Sequence, residues 1–260
     1  MTIDFHSKDN RSSYASRNAD VSWLQKVNKI CDVKGKSVLD IGCGGGIYTK
    51  AIADMGAFTV TALDFSEQML FAAKENCKAY PNITFQQGNA LETNLKSNQF
   101  DIVLVRAVIH HIADLETCFK EAFRILKHGG IYLIQDRTPE DCLLKGSVEH
   151  IRGYFFEKYP SILEKEVARR HSSEIVLQTL QNIGFQHSSQ YQLWETRKIY
   201  KTLEKLSEDI LSRNGRSILH ELNDIQLQDL VSYINSQLKF KNNEPIIEKD
   251  RWTIWKAVKP

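Results

Sequence analysis

The chain has 260 residues, 42% hydrophobic and 25% charged, with 13 Gly and 5 Pro, a balance that excludes disordered, collagenous and coiled-coil proteins and fits a soluble globular one. Its 34 basic and 32 acidic side chains leave a net charge of +2, without a large excess in either half, which disfavours a nucleic-acid partner because gripping a polyphosphate backbone concentrates basic residues. No stretch approaches the roughly 18 uninterrupted apolar residues of a membrane span, and the start, MTIDFHSKDN, lacks the apolar run of a signal peptide, so a cytoplasmic protein is expected.

From Lys36 to Asp136, short β-branched runs alternate with amphipathic stretches, the pattern of βα units on a parallel sheet. The predicted strands are Ser37 to Ile41, Thr59 to Asp64, Ile83 to Gln87, Phe100 to Val105 and Ile131 to Gln135. Between them Met69, Ala73 and Cys77, and then Leu115, Phe119, Ala122 and Leu126, each line one helix face; Gly56 and the pair Gly129 and Gly130 stop helices. The segment 138–172 lacks a clean period and carries Tyr154, Phe155, Phe156 and Tyr159, which either wall an apolar pocket or pack a cap onto the sheet. A helix follows from Ser173, its candidate N-cap, to Gly184, and a strand-like run ends near Trp194. An insertion, 202–238, shows two more helices, one on Leu203, Leu206 and Ile210, the other on Leu227, Leu230, Ile234 and Leu238 after Asn223 and Asp224. The last run, Arg251 to Val258, reads as a strand. The length fits one core domain with appended elements.

The chemistry concentrates in VLDIGCGGG, Val38 to Gly46, where an apolar strand runs into Gly42, Gly44, Gly45 and Gly46 before a helix opens at Ile47. Glycines at a strand's C-terminal end let a ligand approach the backbone and leave the first helical N–H groups to donate to it. A dinucleotide fingerprint needs a third glycine at position 47, which is Ile. Asp64, closing the next strand in ALDFSEQML, is placed to accept ribose hydroxyls from either a nicotinamide cofactor or S-adenosylmethionine, or to act as a helix cap. The five cysteines (Cys31, Cys43, Cys77, Cys118, Cys142) include no CxxC pair and read as reduced thiols rather than a disulfide or metal framework; Cys43 packs inside the glycine loop.

These motifs, together with FQQGNALE, FDIVLVRAVIHHIAD and RILKHGGIYLI, occur in an order that resembles the class I S-adenosylmethionine-dependent methyltransferases, especially their small-molecule and quinone-type group, over Lys36 to Asp136. The resemblance implies a Rossmann-like α/β fold, a doubly wound, mostly parallel seven-stranded sheet of order 3-2-1-4-5-7-6 with a helical cap, and S-adenosylmethionine as cofactor. It puts the methionine moiety against Gly42, Cys43 and Gly44, the ribose on Asp64 and the adenine between Phe65 and Ala90, with Asp40 orienting the amino group and Met69 a further cofactor-binding residue. Asn89 stands where the family usually has Asp, and its carbonyl still offers the adenine amino group an acceptor. His128 replaces a turn Pro. The family pattern also makes 1–35 an N-terminal helical lid, with Tyr14 over the sulfonium and Arg17 on a carboxylate, followed by the donor-binding core 36–137, a cap 138–172 and a C-terminal part 173–260.

Methyl transfer from a sulfonium chiefly needs alignment and exclusion of water. A general base is required only for an acceptor that must lose a proton, and His110 and His111, after the fourth strand, are the candidates, at least one being structural. Arg106 in the same loop meets the methionine carboxylate or an acidic acceptor, or forms a surface ion pair. RAVIHH replaces the Asn-Pro-Pro-aromatic signature of adenine and glutamine N-methyltransferases, and the Pro-Cys of cytosine methylation is missing. The expectation is methyl transfer to a small-molecule acceptor; a nicotinamide-dependent oxidoreductase and a non-catalytic nucleoside-binding protein are the alternatives. The Leu-rich faces of 202–238 need burial, over the pocket mouth or across a homodimer.

Overall fold

The computed structural model describes residues 18–238 and 244–260; Tyr14 and Arg17 lie outside the described residues. Seven strands form one sheet: β1 (Ser37–Ile41), β2 (Thr59–Asp64), β3 (Ile83–Gln87), β4 (Phe100–Arg106), β5 (Leu126–Asp136), β6 (Gln186–Tyr200) and β7 (Ile246–Val258). Their order is β3-β2-β1-β4-β5-β7-β6. Pairing is parallel from β3 to β5 and antiparallel between β5 and β7, which bears out the expected mostly parallel α/β sheet. The helices are α1 (Val21–Ile30), α2 (Ile47–Asp54), α3 (Glu67–Asn76), α4 (Leu115–Ile125), α5 (Pro139–Cys142), α6 (Ile151–Lys158), α7 (Pro160–Ala168), α8 (Ser173–Ile183), α9 (Leu203–Leu211) and α10 (Asp224–Gln237). None of them is long and apolar enough to cross a membrane.

The described chain divides into two compact units. The larger takes 18–136, 171–193 and 253–260. Its central strands are buried on both faces, as parallel strands under crossover helices must be; on one face Leu39, Ile41, Val103 and Val105 cluster with Phe119, Ala122 and Ile125 of α4 and Val176 and Leu180 of α8. Each such side chain contributes roughly 1.5–3 kcal/mol on leaving water. The helix starts are set chemically. Ser66 Oγ accepts from Met69 N at 3.3 Å to open α3, and Asp114 Oδ1 accepts from Thr117 N at 3.0 Å to open α4. The N-cap of α8 is Ser172, whose Oγ accepts from Ile175 N, not Ser173; the Ser173 hydroxyl instead accepts from Trp255 Nε1 at 3.3 Å. β5 begins at Leu126 rather than Ile131, because Leu126 pairs with Phe100 ahead of a register shift and the Gly129–Gly130 turn bonds to the backbone of Lys259.

The smaller unit takes 137–170 and the described part of 194–252. Ile151, Tyr154, Phe155 and Phe156 of α6 are packed there among Leu206, Ile210, Leu227, Leu230 and Ile234 of α9 and α10. The aromatic run is thus this unit's own core, and the Leu-rich faces of 202–238 are buried by it. A second, polar layer joins Arg197, Arg216, Asp209, Glu248 and the Tyr200 hydroxyl in one hydrogen-bonded set. α6 also lies very close to the preceding loop: a Cβ at Gly153 would stand 2.3 Å from Gly146 N and 2.4 Å from Lys145 C, backbone atoms that no rotamer can move. Gly153→Ala is therefore expected to destabilise this unit by about 1–3 kcal/mol in thermal or urea unfolding; an unchanged midpoint would show that the loop simply yields.

Candidate active site

The end of β1 turns sharply at Gly42, φ +73°, where a Cβ would come within 2.3 Å of Val108 Cγ2. Gly42 N and Cys43 N both donate to Leu63 O, at 2.7 and 3.1 Å. Asp64, at the end of β2, then clamps the loop: its Oδ2 accepts from Gly44 N at 2.9 Å and its Oδ1 from Ser66 N at 2.9 Å. Asp40, inside β1, is buried and accepts from the Thr49 hydroxyl at 2.6 Å. Burial drives its carboxyl up to about 6, and repulsion from Asp64 outweighs the attraction of Arg106. The Cys43 thiol is likewise pushed up by burial, the opposite of what a reactive cysteine needs. Of the adenine-side candidates, Phe65 is exposed, Met69 is buried, Ala90 packs at the edge of the core, and Asn89 is exposed with its Oδ1 accepting from Leu91 N at 3.0 Å.

On the other side of β1, β4 ends at Arg106 and the chain enters Ala107 with φ 55°, a left-handed conformation uncommon outside glycine; Ala107 N donates to Gln135 O at 2.8 Å. This kink delivers the short 3₁₀ turn Ile109–His111. His110 Nδ1 lies 2.8 and 3.1 Å from the two oxygens of buried Asp136, and His110 N donates to the same carboxylate at 3.2 Å. An ionised carboxylate only accepts, so Nδ1 carries a proton, and in the neutral form of the ring the lone pair is then on Nε2. His171 Nε2 donates to Ile109 O and Ile112 O, at 3.1 and 2.9 Å, and pins the turn. His111 is exposed, its ring centroid 4.0 Å from that of His110. The Arg106 guanidinium stacks 3.8 Å over the Tyr48 ring, which meets Trp23 edge-on at 4.9 Å, and Trp23 Nε1 donates to Gln135 Oε1 at 2.7 Å.

The register gathers these groups on one edge. Ile41 is level with Leu63 and Val105, and Arg106 with Gln135, so Gly42, Asp64, Arg106 and Asp136 all stand at the C-terminal ends of adjacent parallel strands, flanking the point where strand order reverses. The site suits a cationic group: two buried carboxylates sit together, and among the described residues no heavy atom beyond the chain neighbours of Gly44 lies within 4 Å of where its Cβ would be. Sequence reasoning had Asp40, Asp64, Arg106 and His110 but missed Asp136, His171, Gln135, Trp23 and Tyr48. The sheet order alone was enough to put Asp136 beside the end of β4; the aromatic stack left no such signal.

Residues 39–134, from β1 into β5, match the methyltransferase domain family. The match lies wholly within the larger unit, whose core is thus similar to a methyltransferase domain. The chain is similar to the demethylmenaquinone methyltransferase of Bacillus licheniformis, 33% identical over 136 residues that make up 51% of this chain and 59% of the relative; it thus spans well under two thirds of that protein. In structure, the domain and its additions resemble a protein of Anabaena variabilis assigned as a methyltransferase of an antibiotic biosynthesis pathway, with TM-score 0.71 and 19% identity over 93% of this chain and 98% of that one. They also resemble the phosphoethanolamine N-methyltransferase 2 of Haemonchus contortus solved with S-adenosyl-L-methionine, TM-score 0.60 and 20% identity, over 99% of this chain and 60% of that one. At these identities the structural likeness speaks to the fold.

The Asp40 carboxyl gives the larger unit a pH signature. Raised from 3.8 to about 6 in the fold, it contributes stability that is fully present below the unfolded value and lost as pH rises through about 6. Asp40→Asn, which never ionises, should therefore gain in melting temperature relative to the wild type between about pH 4 and pH 7 when no donor is added. A constant difference across that range would mean that the carboxyl is not shifted.

Proposed function

We propose that the chain is an S-adenosylmethionine-dependent methyltransferase acting on a small-molecule acceptor, with His110 as the general base. The observation that carries this reading is the Asp136–His110 pair, which stands on the same sheet edge as the glycine loop and Asp64. The small-molecule names of the relatives, a demethylated quinone and phosphoethanolamine, support the acceptor class.

The donor supplies a methyl carbon already bonded to its leaving group, a sulfonium sulfur. The loop Gly42, Cys43 and Gly44 meets its methionine part, where Asp40 offers a buried carboxylate to the ammonium and Arg106, held by its stack on Tyr48, faces the carboxylate. Asp64 receives the ribose hydroxyls as a carboxylate acceptor at the end of β2. Phe65, Met69 and Ala90 bound the adenine, and the Asn89 amide takes its exocyclic group. On the acceptor side, His110 Nε2 removes the proton from an O–H, N–H or enol as the new bond to the methyl carbon forms, and Asp136 stabilises the imidazolium that results. Water exclusion and alignment do the rest. The nicotinamide alternative lacks support, since Ile47 opens α2 directly after Gly46 where a third glycine belongs.

Two substitutions separate donor binding from chemistry. Asp64→Ala should weaken S-adenosylmethionine binding by roughly 1.5–3 kcal/mol in calorimetry while circular dichroism reports an intact fold; an unchanged dissociation constant would remove Asp64 from the site. His110→Ala should leave donor affinity within about tenfold but cut turnover by roughly 10²–10⁴, measured as transfer of labelled methyl to whichever of a panel of quinols, amines and phosphorylated amino alcohols the wild type modifies. Full turnover in the variant would rule out His110 as the base, and donor binding without transfer to any member would favour a non-catalytic binding protein.

A further inference from the structure

The smaller unit contains a cluster of buried ionisable side chains that methyl transfer does not use. His150, Arg152 and Asp250 are 4%, 7% and 7% exposed, and each has a buried polar atom without a hydrogen-bond partner among the described residues: His150 Nε2, Arg152 Nε and Asp250 Oδ1. Such atoms are few in a native interior, because each one costs on the order of 1–3 kcal/mol. Here all three belong to groups within electrostatic reach of one another, for Asp250 and Arg152 both act on His150, and Arg152 and His150 both act on Asp250.

The fixed contacts define what each orphaned atom can do. His150 Nδ1 lies 3.2 Å from Lys249 O; a carbonyl only accepts, so Nδ1 holds the proton and Nε2 is an acceptor. Burial also disfavours the charged ring, which stands edge-on to Trp194 at 5.3 Å. Asp250 spends one oxygen on Arg137 Nη2, at 2.7 Å, with the Arg137 guanidinium stacked 3.7 Å over Trp252; the other oxygen is a second acceptor. Arg152 spends Nη2 on Glu166, at 2.7 Å, while Arg169 and Arg170 bond the same carboxylate. Arg152 and Arg169 alone already set two cations against that one carboxylate, leaving Arg152 Nε as a charged donor.

The geometry points to a binding site in this unit for a small molecule that carries both an acidic group and an N–H or O–H donor, as an amino acid or a hydroxy acid does. Arg152 takes the acidic group, Asp250 Oδ1 and His150 Nε2 accept from the donor, and the Arg137 stack on Trp252 holds Asp250 in place. An anion alone would satisfy Arg152 and leave two acceptors bare; a cation alone would do the reverse. Bound together, the two groups satisfy all three orphaned atoms.

The test uses the full chain and two mild variants. Arg152→Lys keeps a cation for Glu166 but has no Nε, and His150→Asn keeps an N–H for Lys249 O but has no Nε2. Glycine, glycolate, acetate and methylammonium are titrated separately while the nitrogen resonances of the histidine rings are followed. Glycine or glycolate should shift His150 Nε2 saturably in the wild type, each variant should bind either compound at least about tenfold more weakly in calorimetry, and acetate and methylammonium should respond more weakly than either. S-adenosylmethionine affinity should be the same in both variants and the wild type, which keeps the result separate from the methyltransferase reading. Absence of any saturable shift, an equal response in the variants, or acetate matching glycine would each overturn the two-group site.

Discussion

Every functional feature of the larger unit hangs on the way one carboxylate, Asp64, ties two loops together. By accepting from Gly44 N and Ser66 N, it fixes the turn out of β1 against the turn out of β2, and Ser66 in turn starts α3. A glycine loop without such a clamp would pay a large conformational entropy on binding anything. With it, the loop is already shaped, and Val108 packed against Gly42 extends the same rigidity to the end of β4. Pre-organisation of this kind lets binding energy go into the ligand rather than into ordering the protein.

Buried acids behave oppositely in the two units, and the difference is one of partners. Asp40 is desolvated next to another carboxylate, so its carboxyl rises. Glu166 is as deeply buried, but Arg152, Arg170 and Arg169 surround it and hold it far below the usual carboxylate range. Losing one member of such a buried ion cluster typically costs about 3–5 kcal/mol, so the second is part of the scaffold. Asp40 has no such support. Its burial is a standing cost in the larger unit, tolerable where a cation arrives with the ligand.

How much of this the sequence disclosed follows from where the charges lie. β1 and β4 were legible because parallel strands buried on both faces read as nearly unbroken apolar runs, and the glycine motif with Asp64 is a local signal. The first half of β7 was not legible. Its inward positions are Ile246, Glu248 and Asp250, and two of the three are acids sheltered by Arg216, Arg197 and Arg137, so the period of two was hidden in what looked like a polar linker. The aromatics of α6 failed differently: their composition was noticed, but whether they wall a pocket or fill a core depends on α9 and α10, more than forty residues away. Ser172 and Ser173 are adjacent and chemically alike, and only the contact with Trp255 decides which one is the cap.

His110 shows how a weak sequence hint becomes a chemical statement. Two adjacent histidines after a strand say nothing about which one acts, yet their surroundings are unequal. His111 is exposed and lies against its neighbour's ring, whereas His110 is held by the left-handed kink at Ala107, by His171 through two carbonyls, and by Asp136 at the backbone and at Nδ1. Three separate stretches of chain therefore converge on this turn, and the carboxylate among them holds a proton on Nδ1. A histidine serving only as packing needs its ring buried, not its second nitrogen's proton assigned. Holding Nδ1 against a buried carboxylate costs desolvation of Asp136, and in the proposed role of His110 as base that cost is recovered when Nε2 takes up a proton and the two become an ion pair in a low-dielectric site. The arrangement favours an acceptor that gives up a proton as it is methylated over one, such as a thioether, that has none to give.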